Sequence, residues 1–421
     1  MVKEGYKEVR LGAKQIEVPK SWYVEFLGNI ANFKQGTQVP VDEQKYKKTE
    51  GYVRFLRIVD YTQNTDDVRY IEHPGKKYIV DKDEIIMVRY GEAGLVCRGF
   101  NGVIANNLFK IDINTDLLDK TFSYFFLKQD KVYNYLSSLR LTSAMPAINF
   151  GIVSNLKILI PSLSEQKKIA SILSSVDKSI EKTDEVIEET KELKKGLMQE
   201  LLTKGIGHSE FKDTILGKIP AKWDIKQLRD ICNKVTDGTH DTPKEVNDGY
   251  PFITAKNITN GKLDFKDCGY VSEKDHKKII SRSKPEKGDI LFTHIGTIGQ
   301  VVEVNVDFEF SIKNVALFKP DNELIISKYF KYSLQSNIVQ GFIKRILQGG
   351  VQQYLGLTTL RGFNIPVPPL EEQKKIASIL SSADAKIQKE EEYKSKLERL
   401  KKGLMQKLLT GEIRVNTEME V

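Results

Sequence analysis

Two stretches of the 421-residue chain repeat apolar side chains at the spacing of a coiled coil. In the first stretch, the a and d positions of the heptad are filled by Ile169, Leu173, Val176, Ile180, Thr183, Ile187, Thr190 and Leu197. This seam predicts a helix of about 38 residues and about 57 Å that packs against another helix along one stripe. We expect Ser164, after Pro161, to cap its start, and Gly205 and Gly207 to end it.

The second stretch follows Val367–Pro369 and carries the same kind of seam. Its apolar positions are Ile376, Leu380, Ala383, Ile387, Leu397, Leu404 and Leu408. Glu390 and Lys394 stand where apolar residues are expected, and they predict a short stutter or a locally splayed seam.

The two stretches are copies of one another. Glu165–Ser175 recurs without change at Glu372–Ser382, and Lys194–Thr203 recurs with one substitution at Lys401–Thr410. Both matches lie 207 residues apart, so the element has the same length in each copy. A globular segment separates the copies, and the economical way to bury both seams is an antiparallel helix pair. A charged helix can be a solvated spacer or a protein-docking surface, and both interpretations stay open, although two identical blocks exceed what a spacer requires.

The globular segments before each helix are diverged copies as well. Val18–Trp22 and Ile219–Trp223 share the pattern Val/Ile-Pro-x-x-Trp, and a glycine turn follows each of them. The turn is Lys34–Gln38 in the first segment and Thr236–His240 in the second. Further matching predictions are strands at Val53–Tyr61 and Phe252–Ile258, helices at Phe122–Leu136 and Tyr329–Ile346, and polar loops at Thr142–Asn149 and Gln348–Tyr354.

The order globular, helix, globular, helix predicts an α+β fold. Two repeated mixed α/β modules would be separated by two long helices that form an antiparallel coiled coil, with pseudo-two-fold symmetry. We place the first module at residues 1–160, the first helix at 161–206, the second module at 207–367, the second helix at 368–412 and a C-terminal tail at 413–421.

The positive charge is shared equally between the two modules. Residues 1–160 and residues 207–367 each contain 23 Lys and Arg against 19 Asp and Glu, in a chain of net charge +8. This excess is compatible with a polyanionic partner but is weak evidence for one. No apolar run reaches the length of a membrane span, no signal peptide opens the chain, and the three cysteines form no Cys-x-x-Cys pair. A cytoplasmic protein without disulfides or a zinc cluster is expected.

The motifs of common catalytic sites are missing from the sequence. There is no Gly-x-x-x-x-Gly-Lys-[Ser/Thr] phosphate loop, no Gly-x-Ser-x-Gly elbow and no His-Glu-x-x-His. There is also no Asn-Pro-Pro-[Phe/Tyr] or Asp-Pro-Pro-Tyr methyltransferase signature, and the five histidines show no metal-ligand spacing. We therefore expect no nucleotide hydrolysis by this chain.

Taken together, these features resemble the specificity subunits of type I restriction-modification systems over essentially the whole chain. The resemblance rests on the Pro-x-Leu-x-Glu-Gln-x-x-Ile-Ala-x-Ile-Leu blocks that begin at Pro161 and Pro368, on the Lys-Lys-Gly-Leu-Met-Gln-x-Leu-Leu-Thr endings, and on the module openings. It implies two target-recognition domains, each reading one half of a bipartite DNA site, with helices that set the number of unread base pairs. The region of Glu390 and Lys394 departs from equal helices and puts equal docking faces in doubt.

The resemblance also implies partners for this chain. Two adenine-N6 methyltransferase subunits, which use S-adenosylmethionine, would dock on the helices, and restriction subunits that translocate DNA with ATP and Mg²⁺ would join them. The chain itself would bind double-stranded DNA and would hold no cofactor, metal or active site. The residues expected to dock the methyltransferases are Glu165, Gln166, Ile169, Leu173, Glu372, Gln373, Ile376 and Leu380.

Base reading requires polar side chains in the major groove, whereas phosphate contacts only position a module. We expect these side chains on loops. The candidates are Lys34, Thr37, Gln38, Arg57, Arg89, Tyr90, Arg140 and Ser143 in the first module, and Thr239, His240, Lys256, Asn257, His294, Gln352 and Gln353 in the second. Arg89 is suited to guanine, and Gln352 or Gln353 to adenine. A plain surface role is the competing interpretation for each candidate.

A second class of function remains, namely a two-module DNA-binding or coiled-coil scaffold with no part in restriction-modification. A pure scaffold would lack a DNA affinity that falls steeply with salt. An RNA-binding protein would instead favour single strands and stacking aromatic side chains.

Overall fold

The computed structural model describes residues 2–11, 14–63, 65–140, 147–259, 261–348 and 354–417. The chain forms two compact units, one of Met1–Asp184 with Tyr393–Val421 and one of Glu185–Glu392. Each unit thus combines one module with part of each long helix. Within the described ranges, no helix is both long enough and apolar enough to cross a membrane.

The first unit holds the N-terminal module. Its strands are β1 (Tyr6–Leu11), β2 (Lys14–Pro19), β3 (Tyr23–Phe26), β4 (Ala31–Gln35), β5 (Tyr52–Leu56), β6 (Arg69–Glu72), β7 (Ile79–Val80), β8 (Ile85–Val88), β9 (Val96–Cys97), β10 (Gly102–Ile104), β11 (Leu108–Ile113) and β12 (Lys157–Ile160). Its helices are α1 (Leu27–Ile30), α2 (Ile58–Thr62), α3 (Lys120–Leu127), α4 (Asp130–Arg140) and α5 (Phe150–Ser154), with 3-10 turns at Val41–Glu43 and Lys76–Tyr78. The first long helix, α6 (Leu163–Leu201), begins in this unit.

The second unit follows the same order. Its strands are β13 (Phe211–Thr214), β14 (Gly217–Pro220), β15 (Asp224–Gln227), β16 (Cys232–Asp237), β17 (Tyr250–Ile253), β18 (Ile258–Thr259), β19 (Lys262–Leu263), β20 (Gly269–Val271), β21 (Ile290–Thr293), β22 (Val301–Glu303), β23 (Ser311–Ile312), β24 (Val315–Pro320) and β25 (Asn364–Val367). Its helices are α7 (Leu228–Ile231), α8 (Glu273–Ser283), α9 (Ser327–Gln335), α10 (Asn337–Gln348) and α11 (Leu357–Arg361), with a 3-10 turn at Ala255–Asn257. The second long helix, α12 (Leu370–Leu408), begins here.

Both units build equivalent sheets, although the mixed sheet has four strands in the first unit and three in the second, and this confirms the predicted internal repeat and the α+β fold class. An antiparallel sheet runs β4-β11-β8-β9 in the first unit and β16-β24-β21-β22 in the second. A mixed sheet runs β6-β5-β10-β7 and β20-β17-β23, with the parallel pairs β5–β10 and β17–β23 in matching places. The third and last strands of each module pair antiparallel, β3 with β12 and β15 with β25.

The central strand β8 lies between two apolar layers. Ile85 and Met87 pack into one core, and Ile86 and Val88 pack into another, because successive side chains of a strand point to opposite faces. All four residues are buried. The strand therefore holds the next residue, Arg89, in a fixed place, and β21 does the same for its successor in the second unit.

Each long helix has 39 residues. At the start of α6 the Glu165 N–H donates to Ser162 Oγ at 3.3 Å. Ser162 is therefore the cap, and the prediction of Ser164 is wrong because the helix begins at Leu163, two residues before a helix capped by Ser164 would begin. After the helix, Gly205 and Gly207 take positive φ angles of 67° and 71° in the expected stop, a conformation that glycine adopts without strain.

Within each unit the two long helices run antiparallel, as predicted. The start of α6 shares a core with the end of α12 in the first unit, and the end of α6 shares a core with the start of α12 in the second. Lys401 pairs with Asp177 in the first unit, and Lys194 Nζ lies 2.6 Å from Asp384 Oδ1 in the second. The two ion pairs are counterparts under the repeat.

Polar residues of the helix seam find partners where they stand. The buried hydroxyls of Thr183 and Thr190 donate to backbone carbonyls one turn earlier, at 2.7 and 2.6 Å. Lys394 on α12 reaches across to Asp184 on α6, with 2.6 Å between Nζ and Oδ1. A short stutter or a splayed seam at this point stays a prediction, because a continuous α12 and the Lys394 ion pair are compatible with either.

A buried glutamate ties the first module to the start of its helix. Trp22 Nε1 donates to Glu165 Oε2 at 3.0 Å, and Arg414 donates to the two carboxylate oxygens at 2.6 and 2.9 Å. The Glu165 side chain is only 3% exposed. A buried charge needs such partners, because an unpaired one is strongly destabilising.

The second unit repeats this contact with one change of partner. Trp223 Nε1 donates to Glu372 Oε2 at 3.0 Å, as its counterpart does. The place of the arginine is taken by His208, whose Nε2 lies 2.8 Å from Glu372 Oε1, and by the Ile206 N–H at 2.9 Å. Since a carboxylate oxygen accepts here, His208 donates from Nε2.

The next residue of the repeated block is a buried glutamine. Gln166 Nε2 donates to the carbonyls of Leu117 and Pro161 at 3.0 and 2.9 Å, and its Oε1 accepts from the Asp119 N–H at 2.8 Å. Gln373 makes the same three bonds in the second unit, at 2.8 to 3.0 Å. The side chain thus joins the helix to a module loop through three otherwise unpaired backbone groups.

Two predicted elements are wrong in detail. The strand expected at Val53–Tyr61 ends at Leu56, because the Arg57 N–H donates to Asp60 Oδ2 at 2.8 Å and starts α2. The helix expected at Phe122–Leu136 is divided into α3 and α4. The second unit shows both differences, with a 3-10 turn after β17 and a break between α9 and α10.

We predict that Gln166→Ala lowers the free energy of unfolding of the first unit by about 2–4 kcal/mol. A buried polar group left without a partner costs about 1–3 kcal/mol, and of the three bonds that the substitution removes, one is buried and two are partly buried. The chain has two tryptophans, so in a Trp223→Phe background the fluorescence of Trp22 reports on the first unit alone. Urea unfolding followed by this signal measures the change.

Gln373→Ala in the same background is the matched control. It removes the same three bonds from the other unit and should leave the Trp22 transition where it was. Coincident transitions for Gln166→Ala and its parent would contradict the structural role given to this glutamine.

Candidate nucleic-acid interface

Each module carries its predicted glycine turn at the end of the first strand of its antiparallel sheet. After β4 the Thr37 N–H donates to the Ile104 carbonyl at 2.9 Å, and Thr239 makes the equivalent bond after β16 at 3.0 Å. A Cβ atom on Gly36 or on Gly238 would collide with the same carbonyl oxygen that accepts this bond. Only glycine fits so close to another backbone. The two turns therefore share one backbone geometry and differ in their side chains.

The first turn is lined by neutral amides. Gln35 Nε2 donates to the Asn106 carbonyl at 3.0 Å, and Asn106 Nδ2 donates to Gln38 Oε1 at 3.2 Å. Gln35 and Gln38 are both exposed. The Gln38 amide group keeps its nitrogen for an outside acceptor.

Lys34 was expected on a loop, but it lies in strand β4. Its Nζ is 2.6 Å from Asp112 Oδ2 on the neighbouring strand. The hydrogen bond to Asp112 raises the pKa of Lys34. The residue is exposed, but its charge is already paired.

Arg57 is held by two carboxylates. Its Nε lies 3.1 Å from Asp60 Oδ2, and its Nη1 lies 3.1 Å from Asp67 Oδ2. Hydrogen bonds from Arg69 and then from Arg57 lower the pKa of Asp67 to about 2. Arg57 would have to leave these partners to contact DNA.

Arg89 follows the buried strand β8 and keeps one nitrogen unsatisfied. The Arg89 backbone N–H donates to the Asn107 carbonyl at 2.8 Å, and the Arg89 backbone carbonyl accepts from the Ile148 N–H at 3.0 Å. Arg89 Nε and Asn107 Oδ1 are buried without a partner among the described residues. The neighbouring Tyr90 ring is 5.1 Å from the guanidinium and 36% exposed. Unsatisfied buried groups are rare and often mark functional places.

The second turn is lined by charged and aromatic groups. His240 Nε2 lies 3.0 Å from Asp237 Oδ2, and its Nδ1 lies 2.8 Å from Asn314 Oδ1. Asn314 has a φ of 54°, the sole positive value for a non-glycine residue within the described ranges. The Thr239 hydroxyl accepts from the Asp241 N–H at 3.1 Å. Both nitrogens of the His240 ring are thus engaged.

His294 occupies the place of Arg89 in the second unit. It is 3% exposed, and its Nδ1 donates to the Leu355 carbonyl at 2.9 Å. Burial lowers its pKa, which favours the neutral ring. The remaining nitrogen, Nε2, is then an acceptor, and it has no partner in the described part of the chain.

The other candidates divide into structural, exposed and undescribed residues. Asn257 was expected on the surface, but it is buried. Its Oδ1 accepts from the Thr254 N–H and from the Thr254 hydroxyl, both at 3.0 Å, so Asn257 caps a turn. The adjacent Lys256 is exposed. Ser143, Gln352 and Gln353 lie outside the described residues, as does the side chain of Arg140, whose backbone ends α4.

The eight residues expected to dock a partner face into their own units. Ile169 and Leu173 belong to the core of the first unit, and Ile376 and Leu380 to that of the second. The glutamates and glutamines of the block make the internal bonds described above. Seven of them are buried and the Glu372 side chain is 12% exposed, so their predicted docking role stays a prediction, and exposed residues of the same helices are further candidates.

The exposed positions of the repeated block are also identical. Lys167, Ser171 and Ser175 on α6 are exposed, and so are their counterparts Lys374, Ser378 and Ser382 on α12. Internal packing does not explain this identity, because these side chains do not enter the core.

A second exposed pair lies near the ends of the helices. Leu193 and Leu400 are equivalent under the repeat and are 61% and 50% exposed. One turn later stand Gly196 and Gly403, where an added Cβ would have nothing within 4 Å. A glycine inside a helix costs about 1 kcal/mol relative to alanine, and no internal contact requires it here.

Three residues at the turns were missed by the sequence analysis. Gln35 and Asp237 lie in the two matched pentapeptides, and a position-by-position comparison could have found them. Arg282 lies at the end of α8 and pairs with Asp237. The first unit has a 3-10 turn and β7 where the second has α8, so comparison of the repeats could not reveal Arg282. Within the described ranges, no group of three His, Cys, Asp or Glu side chains could hold a metal ion.

Comparison with known proteins gives consistent matches over the whole chain. The family model described as "Type I restriction modification DNA specificity domain" matches residues 19–192 and 220–399. The type I restriction enzyme MjaVIII specificity subunit of Methanocaldococcus jannaschii is 27% identical, with 98% of this chain and 96% of that protein covered. The putative MjaX specificity subunit of the same organism is 28% identical, with 98% of each covered. The crystal structure of a type I S subunit from M. genitalium superposes with a TM-score of 0.62 at 19% identity, covering 92% of this chain and 96% of that one.

We predict that Gly238→Ala breaks the second turn. The added methyl group would force the backbone away from the Ile312 carbonyl, and the Thr239 N–H would lose its acceptor. Hydrogen exchange of the Thr239 amide, resolved by NMR or by mass spectrometry of short peptides, should lose its protection.

The control is Gly341→Ala in helix α10 of the same unit, where nothing lies within 4 Å of the new Cβ. It should leave the turn protected and make the helix more stable, since alanine is the better helix former. Unchanged Thr239 protection in Gly238→Ala would show that the turn does not need glycine.

Proposed function

The chain belongs to the family of type I restriction-modification DNA specificity subunits, and we propose that each of its modules reads one half of a bipartite double-stranded DNA site. Specificity subunits of these systems bind DNA and assemble with other subunits.

One observation carries the assignment of half-sites. The two glycine turns have the same backbone bonds but different side chains, with Gln38 in the place of His240 and Arg89 in the place of His294. Sequence reading needs this combination, because a fixed backbone presents exchangeable donors and acceptors to base edges. A module that only gripped phosphates would have no use for different chemistry at matched positions.

The side chains suggest different preferences for the two half-sites. The exposed amide of Gln38 is suited to adenine, and the unsatisfied Nε of Arg89 to a guanine or phosphate acceptor. In the second module both His240 nitrogens are engaged, so its ring presents carbon atoms, which suit a thymine methyl group. Lys256 is exposed and available to a phosphate.

The helices supply the docking surface for two methyltransferase subunits. The exposed faces of the repeated blocks, and the leucine and glycine pairs Leu193–Gly196 and Leu400–Gly403, occur once in each unit. Two copies of one surface suit two copies of one partner. The open space above each glycine suits a side chain from a partner helix. S-adenosylmethionine is assigned to those methyltransferases, and ATP and Mg²⁺ to restriction subunits, so this chain contributes no catalytic residue.

We predict that substitution of the turn residues changes methylation one half-site at a time. The chain would be co-expressed with the adenine methyltransferase subunit of its own system, and methylated adenines would be mapped by sequencing. The wild type should give a split motif with an unread gap of fixed length. Gln38→Ala should relax only the first module's half, and His240→Ala only the second's, each by about 1–3 kcal/mol of base discrimination.

Lys34→Ala is the control, since Lys34 is exposed near the first turn but paired with Asp112. It should leave the motif unchanged. A continuous motif, or a motif that ignores both substitutions, would move the assignment to the scaffold alternative.

We predict that Leu193→Glu and Leu400→Glu each remove one of two bound methyltransferases. A charge in the middle of an apolar contact is costly to bury, and each leucine lies in a different unit. Native mass spectrometry of the complex should show two partner copies for the wild type, one for each single variant and none for the double variant.

Glu192→Lys is a matched exposed control beside Leu193, and it should keep two partner copies. If both leucine variants also keep two copies, the docking surface lies elsewhere on the chain.

A further inference from the structure

A buried aspartate stands between two exposed groups at the second glycine turn. Asp237, the last residue of β16, is 3% exposed. One carboxylate oxygen pairs with Arg282 Nη2 from the end of α8, and the other lies 3.0 Å from His240 Nε2. The side chains of Arg282 and His240 are themselves 53% and 57% exposed. The carboxylate therefore lies inside while the groups it holds face solvent.

Further contacts fix the same arrangement. Lys234 Nζ donates to the Arg282 carbonyl at 2.7 Å and holds the end of α8 against β16. The second nitrogen of His240 is held by Asn314 at 2.8 Å. Arg282 and His240 are thus anchored through the backbone or through a second ring atom, and Asp237 is the contact they share.

The surroundings are basic towards solvent. Lys313 follows β23 and contacts the Thr242 hydroxyl, and Lys278 on α8 lies 3.6 Å from Asp241. Asp241, which is 79% exposed, is an acidic residue at this surface in addition to the buried Asp237. A guanidinium has five N–H donors in a planar fork that suits a phosphate, and one nitrogen is used by Asp237.

The first unit has no equivalent group at its turn within the described residues. Gln35 stands in the place of Asp237 and bonds to a backbone carbonyl. The segment that would supply an arginine is a 3-10 turn and β7, not a helix. The two modules therefore differ in charge beside a turn whose backbone bonds they share.

We propose that Asp237 is a positioning residue that holds Arg282 against a backbone phosphate of the half-site read by the second module. The proposal rests on the DNA-reading function argued above and adds a phosphate contact that the first module lacks. Arg282 makes the phosphate contact, and Asp237 acts only through it and through the fixed ring of His240.

The test exploits the sign of the charge change. Asp237→Asn removes a negative charge from a DNA-binding surface, which by charge alone should tighten binding. If Asp237 positions Arg282, the same substitution should weaken binding. The full chain in complex with its methyltransferase would be titrated with a fluorescent duplex that carries the mapped motif, at salt concentrations from about 50 to about 200 mM.

Arg282→Gln should flatten the slope of log affinity against log salt by about 0.9, the value for one lost phosphate contact. Over that salt range this is about a 3.5-fold smaller loss of affinity. Asp237→Asn should raise the Kd and flatten the slope in the same direction. Asp241→Asn carries the same charge change on an exposed neighbour and should bind as tightly as the wild type or more tightly.

Three outcomes separate the proposals. If Asp237→Asn binds as tightly as Asp241→Asn, or if Arg282→Gln keeps the full slope, the positioning role is overturned while the reading function stands. If the wild-type complex shows no salt-dependent affinity for the duplex, the proposed function itself fails. Circular dichroism and an unchanged methylation pattern in the first half-site would show that a weakened variant is folded. Arg282→Gln alters only an exposed side chain, so it should fold as the wild type does.

Discussion

A helix that carries an apolar stripe along 39 residues cannot leave that stripe in water, and the rest of the chain is arranged around this constraint. The second copy of the helix supplies the partner surface, and the ion pairs Lys401–Asp177 and Lys194–Asp384 join the two antiparallel helices. Each module then packs against the end of one helix and the start of the other. The result is a frame in which the helices are held by the modules as much as by each other.

The identity of the two repeated blocks has a physical reason on its buried side. A glutamate and a glutamine enter each module core, where Trp22 or Trp223 and three backbone groups must all find partners. A different side chain would leave buried donors or acceptors unpaired, which is expensive in a low-dielectric interior. Internal bonds do not explain why the exposed residues of the two blocks are also identical. Identity on the buried side is therefore explained by structure, and identity on the exposed side by recognition of a partner.

The periodic and repeated parts of this fold could be predicted from the sequence, and the cooperative local details could not. The heptads gave the long helices, their pairing and the seam, and the duplicated turns gave both glycine positions. The cap at Ser162 depends on which of two nearby serines meets the Glu165 N–H, and the end of β5 depends on a single bond from Arg57 to Asp60. Ile169 and Ile376 are buried, as their seam positions predict, while their role in docking a partner stays a prediction. The contact between Asp237 and Arg282 joins residues 45 positions apart, one of them on a helix without a counterpart in the repeat, so no periodic signal reveals it.

The short ladders β3–β12 and β15–β25 place the entrance and the exit of each module side by side. Segments between those strands that make no contact with the long helices can change in length or shape without altering these ladders. A module can therefore be exchanged as one segment. Helix α8 is an example of such a change, because it is present in the second module and absent from the equivalent segment of the first. Genes that exchanged the segment between these strands would inherit a new reading surface on an unchanged frame.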